Sequence, residues 1–240
     1  MRILLIIIIS SFIAKGQDIH FSQFSKSIFF LNPSILAYQH DDYKINLHTK
    51  SQWKSVAKPY KTTTFSVEIN DIIPTHSLAI QVLNDIAGDA YFKTAGLNII
   101  YCKSIGFSDL SKLSFAAGLG FFQRSLLYDN LIFNEIEQYQ NINFWFPDVS
   151  IGLSHQKKIN KKVIIRNGVS IFHLNNPRQS LTGVENVRLH KRVNFHSSIN
   201  YSLNNENYII PRVFFSNQLK NREIIFVIET IISYRKFRNR

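Results

Sequence analysis

The stretch Lys112-Leu113-Ser114-Phe115-Ala116-Ala117-Gly118-Leu119-Gly120-Phe121 alternates along its length. Leu113, Phe115, Ala117, Leu119 and Phe121 fall on one side. Lys112, Ser114, Ala116, Gly118 and Gly120 fall on the other. Successive side chains of a strand point to opposite faces, so this is a strand with one apolar face and one small or polar face. The same period of two runs through Thr63, Phe65, Val67 and Ile69 against Thr64, Ser66, Glu68 and Asn70. It returns in Phe195, Ile199, Tyr201 and Leu203 against His196, Ser198, Asn200, Ser202 and Asn204.

Noisier segments of the same kind surround these three. They lie near Tyr43–Gln52, Ser77–Leu83, Ala95–Ser104 and Asp148–Gln156, then Lys162–Phe172, Tyr208–Leu219 and Glu223–Tyr234. The alternation rule gives roughly ten strands. Turn residues punctuate them: Asn70-Asp71, Asp85 to Gly88, Ser108-Asp109, Lys157 to Lys161, Asn204 to Asn207 and Asn221-Arg222. Short turns between alternating strands predict an antiparallel meander, and nothing alternates helix with strand as a parallel α/β sheet does. The irregular stretch Leu126–Phe146 is read as a long loop. No internal repeat or low-complexity segment is evident.

The N-terminus opens with Met1-Arg2 and the apolar run Ile3 to Ile9, and closes with Ala14-Lys15-Gly16. One basic residue, a short apolar run and small residues at the end predict a secretory signal peptide over 1–16, cleaved after Gly16. The run is short for a permanent membrane helix. The predicted mature domain, 17–240, loses only Arg2 and Lys15, so its charge falls from +12 to +10. Alternation alone is shared by a soluble sandwich with one buried face. Export and strands of about ten residues favour a transmembrane β-barrel, because a tilted strand of that length crosses the hydrocarbon layer. Tyr43, Trp53, Tyr60, Tyr101 and Tyr201 suit the aromatic girdles of such a barrel. The expected fold is all-β: an antiparallel up-and-down transmembrane barrel of roughly 10–12 strands in the bacterial outer membrane.

Several chemistries find no support. The lone Cys102 cannot form an internal disulfide, and a single thiol on a strand reads as a small buried side chain. The eight histidines lack the paired spacing of a zinc hydrolase. No phosphate loop or serine-nucleophile motif is present; Gly118-Leu119-Gly120 lies inside a strand and gives room in a crowded lumen. Lys157-Lys158, Lys161-Lys162, Lys191-Arg192 and the tail from Arg235 to Arg240 are spread over the chain. A nucleic-acid surface gathers its cations on one face with stacking aromatics. The expectation is no enzyme, no cofactor, no metal, no nucleic acid and no small-molecule substrate. Basic turns instead suit outer-membrane lipid headgroups or acidic partners.

A more specific signal opens the mature chain: Gln17-Asp18-Ile19-His20-Phe21-Ser22-Gln23-Phe24, then Leu31-Asn32-Pro33, Gln52-Trp53 and Pro59-Tyr60-Lys61-Thr62. Asp85 to Asp89, Phe122-Gln123-Arg124-Ser125-Leu126 and Asp148 to Leu153 follow in order. Phe172-His173-Leu174-Asn175-Asn176-Pro177-Arg178-Gln179-Ser180-Leu181 completes the set. In this order the segments resemble the PorP/SprF family of outer-membrane proteins over nearly the whole mature chain. The resemblance implies a β-barrel of the type IX secretion and gliding-motility apparatus. Its implied partners are secretion-system proteins and exported surface adhesins, and its implied role is adhesin export or anchoring of the machinery.

The motif positions carried over are Phe21, Ser22, Gln23, Asn32, Pro33, Gln52, Trp53, Gln123, Arg124, His173, Asn175, Pro177, Gln179 and Ser180, as structural or partner-binding residues. Set beside the family pattern, the basic tail from Tyr234 to Arg240 implies that the last strands are missing. A small porin-like channel and a non-functional truncated relative are the alternatives.

Overall fold

The computed structural model describes residues 27–38, 41–55, 58–88, 91–128, 140–180, 187–204 and 206–232. Ten strands follow one another: β1 (Tyr43–Gln52), β2 (Tyr60–Ile73), β3 (His76–Ala87), β4 (Phe92–Ser108) and β5 (Ser111–Leu126). Then come β6 (Ile142–Lys158), β7 (Val163–Phe172), β8 (Arg192–Ser202), β9 (Tyr208–Gln218) and β10 (Asn221–Ile231). They form one sheet in chain order, every neighbour antiparallel. β4, β5 and β6, at 17, 16 and 17 residues, exceed what a tilted strand needs to cross hydrocarbon.

All ten predicted strands are present. Three expectations fail: the turns expected at Asn70-Asp71 and Asn221-Arg222 lie inside β2 and β10, the chain turning at Pro74-Thr75 and Leu219-Lys220 instead, and Leu126–Phe146 is not loop throughout, because β6 already begins at Ile142. Phe144-Trp145-Phe146 masks the alternation by placing bulky rings on both faces. Phe146 is buried inward against Phe122, and Trp145 stacks outward on Phe121.

The connections divide by end. At one end lie the two-residue turns Pro74-Thr75 and Asp109-Leu110, with 159–162 and 203–207. The other end carries 53–59, 88–91, the long connections 127–141 and 173–191, and the tight Leu219-Lys220 turn. Thr75 and Leu219 take φ of 73° and 55°, the left-handed conformation such tight turns use.

Burial is inside out. On β5, Ser114 is 0% exposed while Leu119 and Phe121 on the opposite row are 61% and 53% exposed. β8 buries Asn194, His196 and Ser198 and exposes Phe195, Ile199 and Tyr201. β2 buries Thr64, Ser66 and Glu68 and exposes Phe65. A soluble sandwich would bury the aromatic rows and wet the serines. A polar interior under an apolar exterior is the partition of a membrane barrel. The aromatic residues mark both rims: Tyr43 and Tyr201 stand at the short-turn end, and Trp53 and Tyr60 at the long-loop end, all exposed.

The sheet curls around a segment of its own chain. A helical turn α1 (Ile28–Leu31) and a 3-10 turn (Pro33–Tyr38) occupy the lumen. Asn32 is extended, as a residue before proline must be, and its Oδ1 accepts the Ser34 backbone N–H at 2.9 Å. That side-chain turn starts the 3-10 segment. Ile28, Phe29 and Leu36 pack with Ala79, Ile100, Cys102 and Ala116 on β3–β5. Phe30 meets Leu83, Phe122 and Phe146, while Leu31 crosses to Phe214, Ile225 and Val227 on β9 and β10. The apolar side chains that a barrel wall cannot bury internally are supplied by this plug.

Candidate functional site

Two polar constellations stand out, one inside the lumen and one at the long-loop mouth. The first fixes the plug. Asn32 Nδ2 donates to the carbonyls of Leu153 on β6 (3.2 Å) and Val169 on β7 (3.1 Å). Its Oδ1 also accepts from Ser34 Oγ at 2.7 Å, and that hydroxyl lies 2.8 Å from Ser154 Oγ. Asn194 Nδ2 donates to the carbonyls of Phe30 and Leu31, both at 3.1 Å, and is itself held by Ser216 Oγ at 2.8 Å. Ser170 Oγ donates to Leu31 O at 2.9 Å, and Lys112 Nζ to Ala37 O at 3.0 Å.

Glycines make the space. A Cβ on Gly152 would lie 2.2 Å from Asn32 Oδ1 and 3.0 Å from the Pro33 ring, and one on Gly168 would lie 2.7 Å from Asn32 Nδ2. Asn32 and Pro33 are thus the lock, and Gly152 and Gly168 its keyway. Buried polar groups of this kind are costly when left unmade, so the plug is held by specific partners as well as by apolar contact.

Cys102 lies under the 3-10 turn, fully buried, with Sγ 3.7 Å from Ser34 O. It reports on the plug. In native protein in detergent, a bulky maleimide should leave Cys102 unlabelled over a period that labels urea-unfolded protein completely. Rapid labelling of the native form would mean that the plug leaves its seat unaided.

The second constellation gathers at the ends of β3 to β8. Arg124 donates from Nε to Thr94 Oγ1 at 3.1 Å and from Nη1 to Gln179 Oε1. Its guanidinium lies 5.2 Å and 5.4 Å from the ring centres of Phe92 and Phe146, a cation–π arrangement. His173 Nδ1 meets Asp148 Oδ2 at 2.9 Å. Asn175 Nδ2 donates to Pro147 O at 2.8 Å, and its Oδ1 accepts the Val149 N–H at 3.2 Å. Beyond it, Leu189 N–H donates to Pro177 O and Gln179 N–H to Val187 O, so 177–179 folds back on 187–189.

His173 and Asn176 take φ of 56° and 46°, the tight bends that turn the chain over the mouth. Under this cover lies a cavity of about 210 Å³, walled by the rings of Phe92, Phe122, Phe146 and Phe172. Arg124, Arg192, Asp85 and Asp148 reach into its rim. Arg192 lies over Phe172 at 4.8 Å and reaches Phe30 O at 3.3 Å, joining this vestibule to the plug.

The structure therefore brings Arg124, His173, Asn175, Pro177 and Gln179 together, and places Asn32 and Pro33 in the plug lock. Ser180 borders the mouth, half-buried. Gln123 belongs to the outward row of β5, opposite Trp145 across the ladder, and does not join Arg124. Gln52 and Trp53 stand apart, exposed at the outer end of β1. Phe21, Ser22 and Gln23 lie outside the described residues. Sequence reasoning missed Asp148 as the partner of His173, and Asn194, Ser154 and Ser170 as plug ligands. Their signal was weak: polar residues on the inward row of a strand. Among the described residues, no three His, Cys, Asp or Glu side chains are grouped to hold a metal ion.

An antiparallel meander with an apolar exterior, a polar wall and its own N-terminal segment in the lumen defines a plugged membrane β-barrel. The family model for the type IX secretion system membrane protein PorP/SprF matches residues 13–238, and the chain belongs to that family. It is a membrane component of the type IX secretion system and works with the components of that system. No curated protein and no solved structure matches it.

Proposed function

We propose that the protein acts in the outer membrane as a non-catalytic docking component that assists export or surface anchoring of large adhesins. The carrying observation is the occupied lumen. Segment 27–38 packs against β3–β6 on one side and β9–β10 on the other, which supports a docking surface at the mouth over an open pore. A porin-like channel would need the plug to leave. The signal-peptide reading of residues 1–16 supports export to the outer membrane, and the exposed rows of Leu, Ile, Val and Phe suit its lipid. Barrels of this kind keep short turns in the periplasm and longer loops outside. That orientation puts the turns at Pro74-Thr75 and Asp109-Leu110 in the periplasm and the vestibule on the cell surface.

The working surface is then segment 173–180 folded over the mouth by Arg124. Arg124→Ala removes the bonds to Gln179 and Thr94, each charge-assisted bond contributing about 1.5–3 kcal/mol. We expect the variant to assemble at the normal level while adhesin display on intact cells falls severalfold. Segment 173–180 should also become protease-sensitive. Normal display with the segment undocked would overturn the assignment of the mouth as the docking surface.

A further inference from the structure

Among the described residues β1 pairs only with β2 and β10 only with β9, so the two outermost strands each present an edge. In hydrocarbon, each unmet backbone group on such an edge costs several kcal/mol. An even number of strands in a meander leaves β1 and β10 antiparallel, the relation that closure requires. We infer that β1 and β10 pair with each other in a single register, with Lys44 opposite Glu229 and Lys50 opposite Glu223, and so close the barrel.

The register follows from the charges. The half-buried row of β1 is Lys44, Asn46, His48 and Lys50; that of β10 includes Glu223, Ile225, Val227 and Glu229. The two lysines are six residues apart, and so are the two glutamates. Placing Lys44 against Glu229 therefore places Lys50 against Glu223, and Asn46 and His48 face Val227 and Ile225. A slip of two residues in either direction loses both opposite-charge pairs: Lys50 would face Ile225 or Asn221.

The same register matches all of β1 to residues 221–230, with no overhang on β1. On the outward side it sets Ile45 beside Ile228 and Leu47 beside Phe226, continuing the apolar exterior. Charges already present extend the pairing. Lys44 lies 3.7 Å from Glu68, and Arg212 lies 3.2 Å from Glu229. Closure makes one inward chain of alternating sign, Glu68–Lys44–Glu229–Arg212.

The register also sets the stagger of the closed barrel. Followed across the sheet from Lys44, the paired row runs through Glu68, Ala79, Ile100, Gly118 and Ser150. One step beyond the Ile151–Ile171 pair it meets Phe172, and it then passes Arg192 and Gln218 to Asn221. Glu229 stands eight residues further along β10. A stagger is what strand tilt imposes on a closed barrel, and an even stagger keeps inward residues inward.

The test uses the full chain in its membrane, with Cys102→Ser as background. Ile45→Cys is combined with Ile228→Cys, or with Phe226→Cys, and Leu47→Cys is combined with Ile228→Cys. Directly opposed residues have Cα atoms about 4.5–5.5 Å apart, within disulfide reach, and the two offset pairs do not. On mild oxidation the Ile45/Ile228 pair should link within one chain about tenfold faster than either offset pair, read from the linked peptide by mass spectrometry. Where the Ile45 variants fail to assemble, Leu47→Cys with Phe226→Cys reports the same register. Lys50→Glu should slow the linkage, and adding Glu223→Lys should restore it. Links found only between two chains would make the seam an interface between copies. Preference for an offset pair, or no link at all, would overturn the inference.

Discussion

Leu119→Arg should remove the protein from the membrane as a folded species. Leu119 sits midway along β5, 61% exposed, among outward apolar residues. On a water-facing surface such a change moves stability by less than about 0.5 kcal/mol. Facing hydrocarbon at mid-depth, arginine costs about 2–4 kcal/mol. That is a large part of the stability of an ordinary domain. The measurement is the heat-modifiable band on gels of membrane extracts, run with and without boiling. The expected result is loss of the fast-migrating folded band for Leu119→Arg.

Ile159→Arg is the control: the same chemical change in an exposed turn at the short-turn end. Near the interface the cost falls to about 0–1 kcal/mol, so its folded band should persist. Equal tolerance of both changes would mean that the apolar rows do not face lipid.

The outward rows were legible in the sequence because alternation is a local property. Leu113 to Phe121 carries its two faces whatever surrounds it. The start of β6 was not legible, since Phe146 lines the vestibule with Phe144 packed beside it while Trp145 faces out, and three rings in succession have no period of two. The plug was hidden for a different reason. Ile28, Phe29, Leu31 and Leu36 show no strand period, and four helical residues give too little length for a helical one.

The resemblance flagged Asn32 and Pro33 but gave them no role. Their partners are carbonyls 121 and 137 residues away, a relation only the folded sheet creates. His173 and Gln179 were flagged in the same way, whereas Asp148, although it opens the family-like segment Asp148 to Leu153, was not carried over as a site residue. What the sequence lacked was pairing across the barrel. The edge strands are the exception: equal charge spacing on β1 and β10 is written in the chain, but it becomes a register only once both rows are known to face inward.

Gly152→Leu should expel the plug and open the lumen. Its first added carbon would stand 2.2 Å from Asn32 Oδ1, well inside contact distance, with the Pro33 ring at 3.0 Å. β6 is paired on both sides, with β5 and β7, and cannot retreat. The plug must move, and with it go the two bonds from Asn32 Nδ2 to the wall and the Ser34–Ser154 contact. Each buried polar group left without a partner costs about 1–3 kcal/mol, so the displaced segment has little reason to return. Behind it the wall carries Ser114, Ser150, Ser154 and Ser170 beside Ala79, Ile100, Cys102 and Ala116, a lining that water can enter once the plug has left. The expected results are an ion conductance absent from the parent in planar bilayers and rapid maleimide labelling of Cys102.

Gly106→Leu, where an added carbon meets nothing within 4 Å, should change neither. A silent Gly152→Leu would mean that the lock at Asn32 does not hold the plug. A conducting one would show that the polar wall is that of a channel, kept shut by twelve residues of its own chain.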